Sequence, residues 1–302
     1  MTKKKRRLVL YMILTMVALL ILMFFSGLQQ GKARQKVTQK VDYSYLNFAE
    51  KNSNVKDGVI VLAYHRILKN NATVSFAQKI SKNPQLQEYN VSQDEFIKQM
   101  NWLKKNHISI WSMSQFIKHT KNNTIRGRHV VITFDDIDTT LPRNASQKLA
   151  DLSIPFTFFV ITGKVGQNLD GEQLASWSEI TQLAVKSNVT VGLHTNDLHY
   201  QVDNDPILSS GTLSKKAIIK DYQKSKQKLE KQLSINPTVF AYPYGSPNKA
   251  LTEYMSSHGM AAIFLLEPGI VSNNMPDILK RVPRFIVTNS NFTELQKWLE
   301  VR

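Results

Sequence analysis

The sequence predicts an α/β protein: a (β/α) barrel of about eight units forming one domain, preceded by an N-terminal transmembrane helix. Three observations lead there. From Gly58 onward, strand-like runs alternate with helical patterns, and such alternation means a mostly parallel sheet. Residues 58–302 hold about eight of these units, which suits a barrel in size. Groups capable of chemistry follow directly on several different strands: Tyr64-His65, Asp135-Asp136, His194 and Pro243-Tyr244. A barrel presents its functional groups that way, whereas the competing doubly wound open sheet gathers them at one switch point.

The elements follow in chain order. Lys3, Lys4, Lys5, Arg6 and Arg7 precede Leu8–Phe25, an uncharged apolar run of 18 residues. That length is at the lower limit for a bilayer-spanning helix, and the basic cluster places the N-terminus in the cytoplasm and the body outside. A cleaved signal peptide is the alternative, but Phe25-Ser26-Gly27-Leu28 makes a poor cleavage site. Residues 1–28 are therefore expected to form a basic tip and membrane anchor, 29–57 a polar extracellular tether, and 58–302 the functional domain. The expected localisation is the cell membrane, single-pass, with that domain extracellular.

Strand candidates are Val59–Tyr64, Ile108–Trp111, His129–Phe134, Phe156–Ile161, Val189–Leu193, Thr238–Tyr242, Ala261–Leu266 and Val282–Val287. Ser92…Glu95 and Ser176…Glu179 have capping-box spacing and open helices to about Lys105 and Lys186. Ser214–Leu233 reads as a Lys-rich helix with one solvated face. Arg66–Asn90 is a long polar connection, expected beside the active mouth.

Composition narrows the chemistry. The chain has no cysteine, so disulfides and thiolate chemistry are excluded. A net charge of +16 favours anionic surfaces such as phospholipid head groups or acidic wall polymers. No nucleic-acid partner is expected, since no recognition motif or basic strip interleaved with aromatics is present.

Four places carry candidate functional residues. Asp135 and Asp136 end a buried-type apolar strand; one could cap the following helix, but two adjacent acids there suggest a cation, with one carboxylate facing a metal and the other substrate. His194 closes a second apolar strand and His199 lies five residues on, a spacing that needs a loop. Two imidazoles and a carboxylate make a metal-ligand inventory that leaves a position open for water, and the spare carboxylate is a ready general base. His65 ends the first strand, where it is either a packed histidine or a general acid near the metal. Tyr242-Pro243-Tyr244-Gly245 is either a packed turn or a rim offering a backbone N–H to an oxyanion and rings to a sugar.

On Thr133-Phe134-Asp135-Asp136, His194…His199, Tyr242-Pro243-Tyr244 and Ala63-Tyr64-His65, the chain from Gly58 to its C-terminus resembles the polysaccharide deacetylases, the NodB-type carbohydrate esterases. Within them it is most similar to the branch that deacetylates the poly-N-acetylglucosamine of biofilms. The resemblance implies a distorted (β/α)7-8 barrel with one irregular strand. It implies Asp135 as base, Asp136, His194 and His199 as ligands of one divalent metal, and His65 as acid, since this branch places its acid histidine ahead of the Asp pair. Zinc suits the ligand set best, with cobalt, nickel or iron as alternatives. The oxyanion would rest on the metal and the Tyr244 N–H, beside Tyr242 and Pro243.

Two residues depart from the family pattern. Ile137 stands where glycine usually follows the Asp pair, and Ala241 stands where an arginine usually holds the base. Arg281 or Arg284 would have to take that arginine's place. The expected substrate is poly-β-1,6-N-acetylglucosamine, removed of its acetyl groups outside the cell. Peptidoglycan or another N-acetylated glycan, and a catalytically inactive glycan-binding role, are the alternatives. Exopolysaccharide synthesis and export proteins are the expected partners.

Overall fold

The structure, a computed structural model, describes residues 43–69, 89–169 and 171–300. The predicted membrane segment Leu8–Phe25, the tether up to residue 42 and the stretch 70–88 lie outside them. Among the described residues no helix is long and apolar enough to cross a membrane.

All eight strand candidates contain a strand: β1 Gly58–Tyr64, β2 Ser109–Ile110, β3 Arg128–Phe134, β4 Phe156–Val160, β5 Val189–Leu193, β6 Val239–Ala241, β7 Ala262–Phe264 and β8 Phe285–Ile286. They form one sheet in the order β7-β6-β5-β4-β3-β1-β8, with β2 off this path and paired to β3. Every pairing in it is parallel. β1 covers β3 along its whole length, from Gly58↔Arg128 to Tyr64↔Phe134. The other edge of β3 is shared: β2 takes its start, at His129 and Val130, and β4 its end, at Thr133 and Phe134. β2 is therefore the irregular strand.

The sheet curls without closing. Its terminal strands β7 and β8 do not pair; on the side away from β6, β7 meets an isolated bridge, Phe264↔Val282, three residues ahead of β8, so the expected closed barrel is a half-barrel parallel sheet. The reason lies in Val282–Val287. Pro283 has no N–H to donate, and only Phe285 and Ile286 pair with β1.

Both faces of the sheet are buried, as helix-covered parallel strands require. Along β1 the faces alternate, with Val59 and Val61 in one apolar cluster and Ile60, Leu62 and Tyr64 in another. Capping fixes the helices outside. Ser92 accepts the Glu95 N–H at the start of α2 Gln93–Lys105, and reciprocal boxes open α3 Met113–Lys121 at Ser112/Gln115 and α5 Trp177–Ala184 at Ser176/Glu179. The latter two helices bracket α4 Ser146–Asp151, and the chain continues through α6 Lys215–Leu233, α7 Lys249–Ser257 and α8 Phe292–Glu300.

The expected tether begins to fold earlier than its polar composition suggests. Tyr45 and Phe48 are buried, and a short helix, α1 Phe48–Lys51, starts there. The Tyr45 hydroxyl donates to the Ile286 carbonyl at 2.9 Å, and both rings meet Phe285 edge-on. Aromatic anchors in an otherwise polar stretch dock it onto the edge strand, so residues 43–57 belong to the domain.

Candidate active site

Residues at the ends of several strands carry the chemistry, and the chain after β3 bends sharply as the strand stops. β3 continues its ladder through Asp135, whose N–H donates to the Tyr64 carbonyl at 2.9 Å. The Ile137 N–H then donates back to the Asp135 carbonyl at 2.7 Å, closing a three-residue turn on Asp136. Asp136 and Ile137 both take left-handed backbone, at φ 64° and 44°. Such a turn is strained, by roughly 1–3 kcal/mol per residue. Its effect is to aim the two neighbouring carboxylates apart.

Asp136 faces the histidines. Its Oδ1 lies 3.3 Å from His194 Nε2 and 3.0 Å from His199 Nε2, and one ligand atom from each of the three falls within a 4.8 Å cluster. His194 is oriented from behind. Its Nδ1 stands 2.7 Å from the Ala241 carbonyl; a carbonyl only accepts, so Nδ1 carries the proton and Nε2 keeps its lone pair for a ligand. Asp136 Oδ1 is buried without a hydrogen-bond partner among the described residues, although both Nε2 atoms are near. The three atoms converge on a common point rather than pairing with one another. Two imidazoles and one carboxylate are a donor set that fits a borderline divalent ion such as zinc. Burial raises the Asp136 pKa, but the two histidines outweigh it and hold the carboxyl well below its usual range.

Asp135 turns inward, onto Arg284. The guanidinium grips it with two parallel bonds, Nη1 to Oδ1 at 2.7 Å and Nη2 to Oδ2 at 2.8 Å. The arginine is itself fixed by Nε donating to the Leu265 carbonyl at 2.8 Å, and it is 0 % exposed. Burial pushes the Asp135 carboxyl up, and Arg284 and His194 more than offset it, so the net shift is downward. A carboxylate has about four acceptor sites, so a bidentate arginine leaves lone pairs for a proton. Of the two arginines proposed for this task, the structure selects Arg284; Arg281 is exposed, outside the site.

His65 presents Nε2 to Asp135 Oδ2 at 3.9 Å. Burial lowers its pKa from the usual value, opposed by the two aspartates. Tyr244 lines the same cavity, its ring 4.8 Å from that of His199, on left-handed backbone at φ 58°. Tyr242 and Pro243 do not line it. Tyr242 is wholly buried, with its hydroxyl bonded to the Asn248 carbonyl and to Thr252, and Pro243 is buried in the turn. Their part is packing: Tyr242, just past β6, is buried, and Tyr244 within the Pro243–Gly245 turn is the residue of this stretch that reaches the cavity.

The cavity, about 240 Å³, is lined by His65, Asp135, Asp136, His194, His199 and Tyr244, by Arg66 and Tyr89 from the described ends of the Arg66–Asn90 connection expected beside the mouth, and by Tyr43, Glu172, Gln201, Pro206 and Leu266, which sequence reasoning missed. Arg66 is ion-paired with Glu172 across the mouth, and the Tyr89 ring lies 5.2 Å from that of His65. Arg66 follows His65 directly, and that adjacency was the available signal. Glu172 comes from the small hairpin Asn168–Leu169/Glu172–Gln173, whose position no local pattern announces.

Comparison with known proteins agrees with this geometry. The sequence pattern of the family described as Polysaccharide deacetylase matches residues 122–263. A poly-beta-1,6-N-acetyl-D-glucosamine N-deacetylase of Staphylococcus aureus is 31% identical over 243 residues, 80% of this chain and 83% of the relative. One of the same name from Staphylococcus epidermidis is 29% identical over 271 residues, 87% and 92% of the two chains. The structure of IcaB from Ammonifex degensii superposes with a TM-score of 0.70 at 27% identity, over 81% of this chain and 98% of that one. With the shared sequence running through both carboxylates and both histidines of the site, the chain belongs to the polysaccharide deacetylases, a family of hydrolases that cleave amide bonds.

Proposed function

We propose that the protein is a metal-dependent N-deacetylase of poly-β-1,6-N-acetylglucosamine, held on the cell membrane by its N-terminal segment and working outside the cell. The observation that carries the reading is the convergence in one cavity of Asp136, His194 and His199 with Asp135 on Arg284 and with His65. The relatives named for this polymer supply the substrate class.

When bound by Asp136, His194 and His199, the metal supplies Lewis acidity to the acetyl carbonyl and to the attacking water. Asp135 accepts the proton of that water. Arg284 keeps Asp135 ionised and fixed, so that it is ready as a base at neutral pH. The Tyr244 N–H faces the developing oxyanion. His65, on the Asp135 side of the cavity, gives the proton to the departing amine. The products are acetate and a free amine, cationic at neutral pH, which lets partly deacetylated polymer cling to anionic surfaces. Proteins that make and export the polymer are the natural partners of such an enzyme.

The experiment is amine release from defined β-1,6 and β-1,4 N-acetylglucosamine oligomers by the full chain with zinc, cobalt, nickel or iron added. Preference for β-1,6 oligomers supports the proposal. Turnover on β-1,4 oligomers alone would move the substrate to peptidoglycan-type glycans, and no turnover on either would leave a glycan-binding protein.

A further inference from the structure

The loop that carries both histidines is gripped from an unexpected side. Thr195 to Leu198 belong to neither helix nor strand, and Thr195 sits at φ 72°, left-handed backbone for a β-branched residue. Something outside the loop must hold that path. The N–H groups of Asn196 and Asp197, successive in the chain, both donate to one carboxylate. Asn196 N lies 2.9 Å from Asp221 Oδ2, and Asp197 N lies 2.9 Å from Asp221 Oδ1. Asp221 stands on α6, the Lys-rich helix that reads in sequence as a solvated face.

The neighbouring contacts work in the same direction. Ser225, one helical turn along and fully buried, has its hydroxyl 3.1 Å from that of Thr162, which is 3.2 Å from Asn196 Oδ1. On the far side, the Thr162 and Gly163 N–H groups donate to the Thr195 and Asn196 carbonyls. A Cβ at Gly163 would stand 2.2 Å from Asp197 Oδ1, so the loop fits between Gly163 and α6 with no room to spare.

We propose that Asp221 is a positioning residue for the metal centre: it fixes the Asn196–Asp197 backbone, and through it the separation and aim of His194 and His199. A carboxylate suits this task because two oxygens accept two successive N–H groups. An amide of the same shape offers one oxygen and sets an NH2 against the other N–H. The inference rests on Asp136, His194 and His199 being metal ligands, as proposed above.

The test is zinc affinity of the full chain, measured by competition with a chromophoric chelator, for the parent, Asp221→Asn and His194→Ala. The visible spectrum of each cobalt-loaded protein is recorded alongside. Removal of a group that orients a ligand typically weakens a metal site about 10- to 100-fold. Asp221→Asn should therefore lose zinc affinity by that factor and shift the cobalt bands while remaining folded by circular dichroism. A role confined to stability would lower the melting temperature and leave both readings at the parent values.

Parent-like zinc affinity in folded Asp221→Asn overturns the proposal. Where that variant does not fold, Asp221→Ser, which keeps one shorter acceptor, is read in the same way; failure of both to fold makes Asp221 a folding residue and also overturns it. If the parent itself binds no zinc or cobalt, or binds them equally after His194→Ala, the metal assignment fails instead, and the two failures are distinct.

Discussion

Replacing Arg284 by methionine tests how the base is held. The change keeps an unbranched apolar stem among Phe159 and Phe264, over whose rings the guanidinium now lies at 5.4 and 5.8 Å. It removes both bonds to Asp135, a carboxylate only 1 % exposed. Breaking a buried ion pair from one side costs about 3–5 kcal/mol, because the remaining charge has no partner and no water. The Leu265 carbonyl loses its donor as well, which adds on the order of 1 kcal/mol. For a domain of this size each kcal/mol lowers the midpoint by roughly 2–4 °C, so Arg284→Met should melt about 8–24 °C below the parent.

The decisive measurement is the double variant. In the Asp135→Asn background no buried carboxylate is left stranded, so Arg284→Met should cost only about 1–2 kcal/mol, the carbonyl and packing losses. The scans are run with chelator so that metal binding to the native state adds nothing. A coupling near zero, or a drop below about 2 °C in the single variant, refutes the reasoning. The pH dependence has a definite sign. In the parent the folded-state pKa of Asp135 is lowered, so the pair's contribution is complete above the unfolded value of about 3.9 and is lost as pH falls through the folded one. In Arg284→Met the carboxyl is raised by burial instead, and acidification should narrow the gap between the two proteins.

The other expectations are direct. Asp136→Ala, His194→Ala and His199→Ala should each lose stoichiometric metal and activity together, because three ligands leave no redundancy; elemental analysis checks it, and a retained metal removes that residue from the ligand set. Asp135→Asn should keep its metal and lose about 10²–10⁴-fold in turnover, and near-parent turnover would make Asp135 structural. His65→Ala should stay folded and metal-loaded, lose most turnover and flatten the alkaline limb of the pH–rate profile. Loss of metal in that variant would make His65 a ligand.

How far the sequence could be read depended on whether a feature is written locally. The strand ends were legible because an apolar β-branched run stopping at Asp135-Asp136 or His194 is a break in pattern visible within a few residues. Closure of the sheet was not, because it depends on how Pro283 interrupts a stretch that otherwise reads as a strand, and the aromatic anchors of 43–57 were hidden by polar neighbours. Tyr242 was misplaced for a related reason: in Tyr242-Pro243-Tyr244 the two rings look equivalent, and only the turn decides that one packs inside and the other faces the cavity.

The two departures from the family pattern have physical readings that join these threads. At Ile137 glycine would adopt the left-handed turn freely. Isoleucine adopts it against strain while burying nearly all of its side chain, and that burial offsets the strain by an amount of similar size, roughly 1.5–3 kcal/mol. At Ala241 the missing arginine leaves a small side chain on β6, whose carbonyl orients His194. The guanidinium that grips Asp135 comes instead from Arg284, ahead of β8, and β8 pairs with β1, the strand that ends beside His65. Sequence order separates Arg284 from Asp135 by 149 residues, yet sheet order places only β1 between β8 and β3. Arg284 precedes β8, level with Val61 by the Leu62↔Phe285 register, so it starts below the rim formed by the carboxyl ends of the strands; its long side chain reaches Asp135 at the end of β3, and the charge that steadies the base is supplied from a different strand.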